Sequence, residues 1–334
     1  MFSTIAIFIQ RAVVQGIPLL YGSTGEILTE KSGNLNLGIP GIMYVGGISG
    51  VIGAFFYEKS VPAGQALNGT LAVLIPLLCA LLGAALMSLI YCFLTVTLRA
   101  NQNVTGLALT TFGVGFGNFF GGALNKLAGS ETASISLGRT SAFFSAHPAF
   151  ADKLGGFGTM FFSYGFLAYT AIAVALIASF VLKRTRVGLH LRAVGENPAT
   201  ADAAGINVTV YKYVGTCVGG AIAGLGGLYY VMDYMTGIWS NDGFGDRGWL
   251  AIALVIFALW KPTIGIVGAF LFGALYNLYL YIPSPSGMGS SMPEIYKMLP
   301  YLVTIAVLIF TSIRNKRENQ PPASLGLSYF REER

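Results

Sequence analysis

Charge is scarce in this chain. Only 10% of its 334 residues are Asp, Glu, Lys or Arg, against roughly 25% in an average soluble domain. So few charges cannot cover a soluble surface. With 54% apolar residues and a mean hydropathy of +0.67, the chain reads as a membrane protein. Cysteine and histidine are nearly as rare. Cys79, Cys92 and Cys217 each sit in an apolar run, and His147 and His190 are far apart. Neither set has the close spacing of a zinc or haem site, so no cofactor is expected on this chain. The sequence also lacks G-x-x-x-x-G-K-[ST], H-E-x-x-H and a G-x-S-x-G with partners. Nucleotide binding through a P-loop and hydrolytic catalysis are therefore not expected, and the chain reads as a non-enzyme. Short alternating segments are absent, which argues against a β-barrel.

Long apolar runs are abundant. They cover Ile5–Leu28, Ile42–Phe56, Leu71–Leu98, Asn103–Ala123, Phe161–Leu182, Tyr213–Met232, Thr263–Ile282 and Ile295–Ile313, with a short run at Leu250–Trp260. Runs near twenty residues predict an all-α polytopic membrane protein of about eight to ten segments. Gln10 and Arg11 interrupt the first run and no small-residue cleavage site follows, so it is expected to insert as a span. Residues 1–313 read as one transmembrane domain, and 314–334 as a polar, weakly ordered tail. The net charge of +6 does not point to nucleic acid, because the basic residues lie in loops and the tail. By the positive-inside rule Arg99, Lys183, Arg184, Arg186, Arg192, Lys261 and the tail are expected in the cytoplasm. Residues 125–158 read as an external loop with some structure of its own. Residues 233–247 read as a polar loop with Trp239 and Trp249 as interface anchors, and 283–294 as another loop.

Two places depart from plain spans. Glu30–Gly41 is dense in Gly, Asn and Pro. A break there is tolerated only where protein or a water-filled cavity receives the freed backbone groups. The second is the polar island Gly188–Gly205, within the loop 183–206. Asn197 is a good N-cap, Pro198 suits the first helical position, Asp202 lies near the positive helix end, and Gly205 can end the helix. About two turns of Ala-rich helix are predicted there.

Ion-coupled carriers place charge inside their spans. Here the nearest candidates, Glu26, Glu30 and Asp233, lie by ends or breaks, which argues against such a carrier. The spans instead hold uncharged polar groups beside aromatic rings. Asn34, Asn36, Asn103, Thr105, Phe116 and Asn118 are the candidate pathway residues for a neutral, polar, ring-bearing solute. Alternatively these groups bond between helices. The glycines of 113–121 and 215–227 predict close helix packing.

Three stretches carry a family resemblance. They are Glu30-Lys-Ser-Gly-Asn-Leu-Asn-Leu-Gly-Ile-Pro-Gly-Ile-Met43, Asn101-Gln-Asn-Val-Thr-Gly-Leu-Ala-Leu109 and Leu191-Arg-Ala-Val-Gly-Glu-Asn-Pro-Ala-Thr-Ala-Asp-Ala-Ala-Gly-Ile-Asn207. Together they resemble the permease subunits of bacterial ABC importers for ribose, branched-chain amino acids and nucleosides, most similar to the nucleoside permeases. Ile39-Pro40 departs from relatives that carry a Glu before the Gly. The resemblance implies an inner-membrane subunit forming half of a pathway with a second permease, either a paralogue or a second copy. It also implies an ATPase subunit, which uses the ATP and Mg, and an extracellular or periplasmic solute-binding protein. It further implies that the island docks the ATPase, with Arg192, Gly195, Glu196, Asn197, Pro198, Ala199, Asp202 and Gly205 as its residues. A sugar or branched-chain amino acid permease is the neighbouring reading, and an ion-coupled carrier the more distant one.

Overall fold

The computed structural model describes residues 2–62, 64–129, 134–148, 150–281, 292–314 and 319–330. Most of the loop expected after Pro283, together with Lys316 and Arg317, lies outside them. The apolar runs are helices: α1 Phe2–Lys31, α2 Ile39–Ser60, α3 Gly69–Cys92, α4 Gln102–Ala128, α8 Phe166–Arg184, α11 Val208–Tyr229, α12 Arg247–Phe257, α13 Pro262–Asn277 and α14 Met292–Arg314. Single π-helical turns extend α3 to Thr97 and α11 to Tyr234. Seven of these helices are long and apolar enough to cross a membrane, while α12 and α13 are shorter apolar helices. The expected eight to ten segments are reached only by counting the short pair. Residues 125–158 hold β1 Ser134–Ser136, α5 Gly138–Phe144, α6 Phe150–Lys153 and the start of α7 Gly155–Phe161. Strand β1 pairs antiparallel with β2 Ile238–Ser240, Ile135 opposite Trp239.

The ends of the helices are set by side chains. Asn68, Asn101 and Asn207 each accept a backbone N–H from the first turn of α3, α4 and α11. Such caps satisfy donors that a helix start leaves free. Helices α1 and α11 form the centre. Glycine permits backbone contact there: Gly25 packs on the Gly219 carbonyl, Gly46 on Gly224, and Gly227 on the Met43 carbonyl. A Cβ at any of these would meet main chain, so the helices would have to part. In contrast α3 turns Leu74, Leu78, Leu82 and Leu86 outward. An apolar outer face of this kind suits lipid or a partner subunit.

Direction follows from the contacts of α1 with α13. The Asn277 amide donates to the Arg11 carbonyl at 3.1 Å, and the Trp260 indole N–H donates to Glu30. The two helices are therefore antiparallel. The Lys31 end of α1 lies with the residue 97–102 turn, the 184–208 segment and Lys261, which together form a basic face.

The Glu30–Gly41 break lies near this face and its backbone is satisfied by protein. Leu35 N–H donates to Gln102 at 2.7 Å, and Asn36 N–H to Glu26 at 3.1 Å. The Leu35 carbonyl accepts from Tyr91 at 2.6 Å, and the Leu37 carbonyl from Thr110 at 2.7 Å. Glu26 and Glu30 are both buried. They secure two helix interruptions, with Glu26 on the α1–α2 break and Glu30 on the α12–α13 turn. Pro40, at the departure from the family pattern, starts α2 and packs on Gly248 of α12.

The tail differs from expectation. Residues 319–330 form a strap across the basic face. Ser324 N–H and Oγ donate to the Gly195 carbonyl at 3.0 and 2.5 Å. Gly326 N–H donates to the Gly33 carbonyl at 3.2 Å, Lys261 donates to Asn319 at 2.7 Å, and the Arg99 guanidinium lies 4.5 Å from the Phe330 ring. A Pro-containing segment with no long apolar run gave no sign of this, because the strap is held mainly by main-chain bonds.

Candidate functional site

Two places concentrate polar groups. The first is on the basic face. Thr185 caps α9 Arg186–Glu196, accepting Gly188 N–H at 3.1 Å. Asn197 caps α10 Pro198–Ala203, accepting Thr200 N–H at 3.0 Å, with Pro198 at its first turn. Gly205 follows at φ +80°, a left-handed conformation that suits glycine at a helix end. The short helix thus forms where the capping residues predict it. Helix α9 before it was not anticipated; its apolar face lies inward through Leu191 and Val194.

The candidate coupling residues divide by position. Gly195 is buried against the Lys31 carbonyl, so it lets α9 reach the end of α1. Ala201, on the same short helix, points inward with Val194 and Val208. Ala203, Ala204 and Gly205 are exposed, while Pro198 and Ala199 are half-buried. Arg192 is half-buried beside Lys31 and Glu196. Glu196 accepts Ala323 N–H at 3.4 Å, and Asp202 accepts the Tyr329 hydroxyl at 2.8 Å. The strap therefore already engages two of the charges assigned to a partner. Beside α10 runs a groove of about 600 Å³ lined by Arg99, Asp202, Asn207, Lys212 and Tyr329.

The second place lies between α2, α4 and the segment leading to α12. Gly113, Gly117 and Gly121 make room on α4 for Gly41, the Tyr44 ring and the Trp239 indole respectively. Tyr44 Oη donates to Asn118 at 2.7 Å and accepts Asp242 N–H at 2.8 Å. Asn118 Nδ2 donates to the Asp242 carboxylate at 3.0 Å, which closes a three-residue ring. A recess of about 150 Å³ opens beside it, lined by Tyr44, Thr110, Val114, Asp242, Phe244 and Trp249. At 1.5 Å per residue, Thr110 and Val114 stand about 12 and 18 Å along α4 from its start. The recess is thus well inside the span.

This corrects the reading of 233–247 as a polar loop anchored at the interface by Trp239 and Trp249. Trp239 is only 4% exposed and meets the Tyr44 ring edge-on at 5.1 Å. Several of its polar groups are met inside. Tyr230 donates to the Gly243 carbonyl. Arg247 donates to the Phe244 carbonyl at 3.0 Å, with its guanidinium 4.7 Å from the Tyr230 ring. Trp249 is 38% exposed and faces the recess.

The candidate pathway residues do not form one site. Asn34 and Asn36 are fully buried in the break; Asn34 donates to Thr216 at 2.8 Å, and Asn36 accepts Gly38 N–H at 2.9 Å. Asn103 is exposed in the first turn of α4 and Thr105 is buried. Phe116 is half-buried in a row with Phe112 and Phe120, at ring distances of 6.0 and 4.5 Å. Asn118 alone joins the ring at the recess. Tyr44 and Asp242 were missed in the sequence. Tyr44 looks like one more apolar-run aromatic, and Asp242 lies in what reads as a plain polar loop.

Comparison with known proteins bears on both places. The family model for the permease component of branched-chain amino acid transport systems matches residues 8–308. A putative glucose ABC transporter permease protein of Haloferax volcanii is 33% identical, with 94% of each chain covered. A guanosine ABC transporter permease protein of Bacillus subtilis is 30% identical, with 91% of each covered. A nucleoside ABC transporter permease protein of Lactococcus lactis subsp. cremoris is 29% identical, with 92% of each covered. With a model spanning nearly the whole helical region and relatives matched end to end, the chain belongs to the permease-component family of ABC transport systems typified by those for branched-chain amino acids.

Proposed function

We propose that this chain is the transmembrane permease subunit of an ABC importer for nucleosides. It forms half of the pathway beside a second permease, and α9–α10 are its contact with a separate ATPase. The observation that carries this is the placement of α10. Its small-residue side, Ala203 to Gly205, is exposed on the basic face, while its inner side rests on α9, α11 and the strap. Displacement of α10 is therefore passed to the α1 end through Gly195 and to α11 through Val208. By the positive-inside rule this face, with the C-terminal strap, is cytoplasmic in a bacterial inner membrane.

Two features support the assignment of the energy source. The sequence lacks a P-loop motif, so ATP and Mg belong to the partner. The buried carboxylates Glu26 and Glu30 bond to protein groups at helix breaks, an arrangement that leaves them structural work. The guanosine and nucleoside permeases among the relatives favour a nucleoside. Phe244 and Trp249 beside polar Thr110 and Asp242 suit a flat, hydrogen-bonding ring. The glucose permease relative supports a sugar as the second reading.

Transport would follow from ATP-driven closure of the ATPase shifting the population between two packings of the helices. The test is uptake of labelled guanosine into proteoliposomes holding the permease pair, ATPase and binding protein. ATP inside the vesicle interior that faces the ATPase should be required. Uptake that persists without the ATPase, driven by a proton or sodium gradient, would refute the proposal.

A further inference from the structure

We propose that Asp242 is the selectivity carboxylate of the pathway, accepting N–H or O–H donors from the ring edge of a neutral solute and disfavouring anions. This rests on the permease reading above.

Asp242 is exposed on the segment before α12, beside Asn118 of α4, and an ionisable group at membrane depth is retained where it serves a pathway or a partner. Among the described residues, the Asp242 carboxylate is hydrogen-bonded only by Asn118, through one oxygen. Arg247, the cation five residues on, is committed elsewhere: it donates to the Phe244 carbonyl and lies against the rings of Tyr230 and Tyr234. The carboxylate therefore keeps acceptor capacity, and it lines the recess with Thr110, Phe244 and Trp249.

Its position is also fixed. Tyr44 holds its N–H and Asn118 holds one oxygen, and its φ of +55° lies in the left-handed region. Asp and Asn adopt that region more readily than other side chains. An ionised carboxylate only accepts hydrogen bonds, so it selects a ligand edge rich in donors. Purine nucleosides with an amide N–H beside an amino group offer such an edge, and sugar hydroxyls offer a weaker one. A phosphate or carboxylate on the solute would meet like charge at the recess.

Asp242→Asn is the informative variant. It keeps the shape, the left-handed backbone and an acceptor for Asn118, and it removes only the charge. In the reconstituted complex, Asp242→Asn should retain the ATPase at wild-type yield and take up guanosine at about one tenth of the wild-type rate. Unchanged guanosine uptake overturns the proposal. If the wild-type complex carries glucose and not guanosine, the nucleoside assignment fails but the carboxylate is still tested. A similar loss of glucose uptake in the variant supports the role, and unchanged glucose uptake overturns it. A second measurement is independent of any variant. Guanosine 5′-monophosphate should bind the solubilised wild-type permease at least about tenfold more weakly than guanosine. For a complex that carries guanosine, equal binding, or binding of neither, overturns the proposal.

Discussion

Single residues in this permease act mostly by satisfying polar groups that would otherwise be stranded in an apolar interior. Tyr44 is the sharpest case, since one hydroxyl serves both Asn118 and the Asp242 main chain. Tyr44→Phe removes one donor and one acceptor and leaves the Asp242 N–H and Asn118 Oδ1 only their longer bond to each other at 3.3 Å. It should destabilise the loop before α12 by about 1–3 kcal/mol and lower uptake with ATPase retention unchanged. Limited proteolysis of that loop alongside an uptake assay would check this. Residue roles were the least legible part of the sequence. Asn34 and Asn36 advertise polarity at membrane depth yet spend it inside the protein, Asn34 on Thr216 of α11 and Asn36 on the broken backbone at Gly38. Tyr44 and Asp242 are 198 positions apart, and no local pattern joins them. Among the expected pathway residues only Asn118 joins the Tyr44–Asp242 ring beside the recess.

Elements were far easier to read, because caps and breaks act locally. Asn197, Pro198 and Gly205 delimit α10 in the sequence as they do in the structure. Asn197→Ala should cost that helix about 1 kcal/mol and reduce ATP-dependent uptake, with ATPase copurification reporting the lost contact. Charge reversal at Arg192 and Glu196 together should uncouple or disassemble the complex. Unchanged ATPase association and uptake in that double variant would remove both residues from the coupling surface. The strap was illegible, since its bonds run from main chain and from single side chains to elements distant in sequence, most of them over a hundred residues away. It ties α9 and α10 to the break through Ser324, Gly326 and Tyr329. Removal of residues 319–334 should leave membrane insertion intact and lower transport per ATP hydrolysed. Equal coupling in the truncated and full-length chains would show that the strap is dispensable.

At the scale of the whole molecule, the apolar runs, glycine stripes and basic loops were enough to give an all-α membrane protein with one basic face. The short run that becomes α12 was visible, but the inward path of residues 241–246 was not, because it depends on the partners those residues meet in α2 and α4. The resulting architecture places the recess inside the span and α10 at its basic end, with α1 and α11 between them. Energy supplied at α10 therefore has a packed route inward. The central claim is that α10 is where the ATPase engages. The direct measurement is crosslinking from a single cysteine at exposed Ala203, in a chain whose native Cys79, Cys92 and Cys217 are replaced. Ala203→Cys should give an adduct with the ATPase subunit that blocks ATP-driven uptake. An uptake-competent complex in which Ala203→Cys never reaches the ATPase, while a cysteine at Ser60 on the opposite face does, would contradict it.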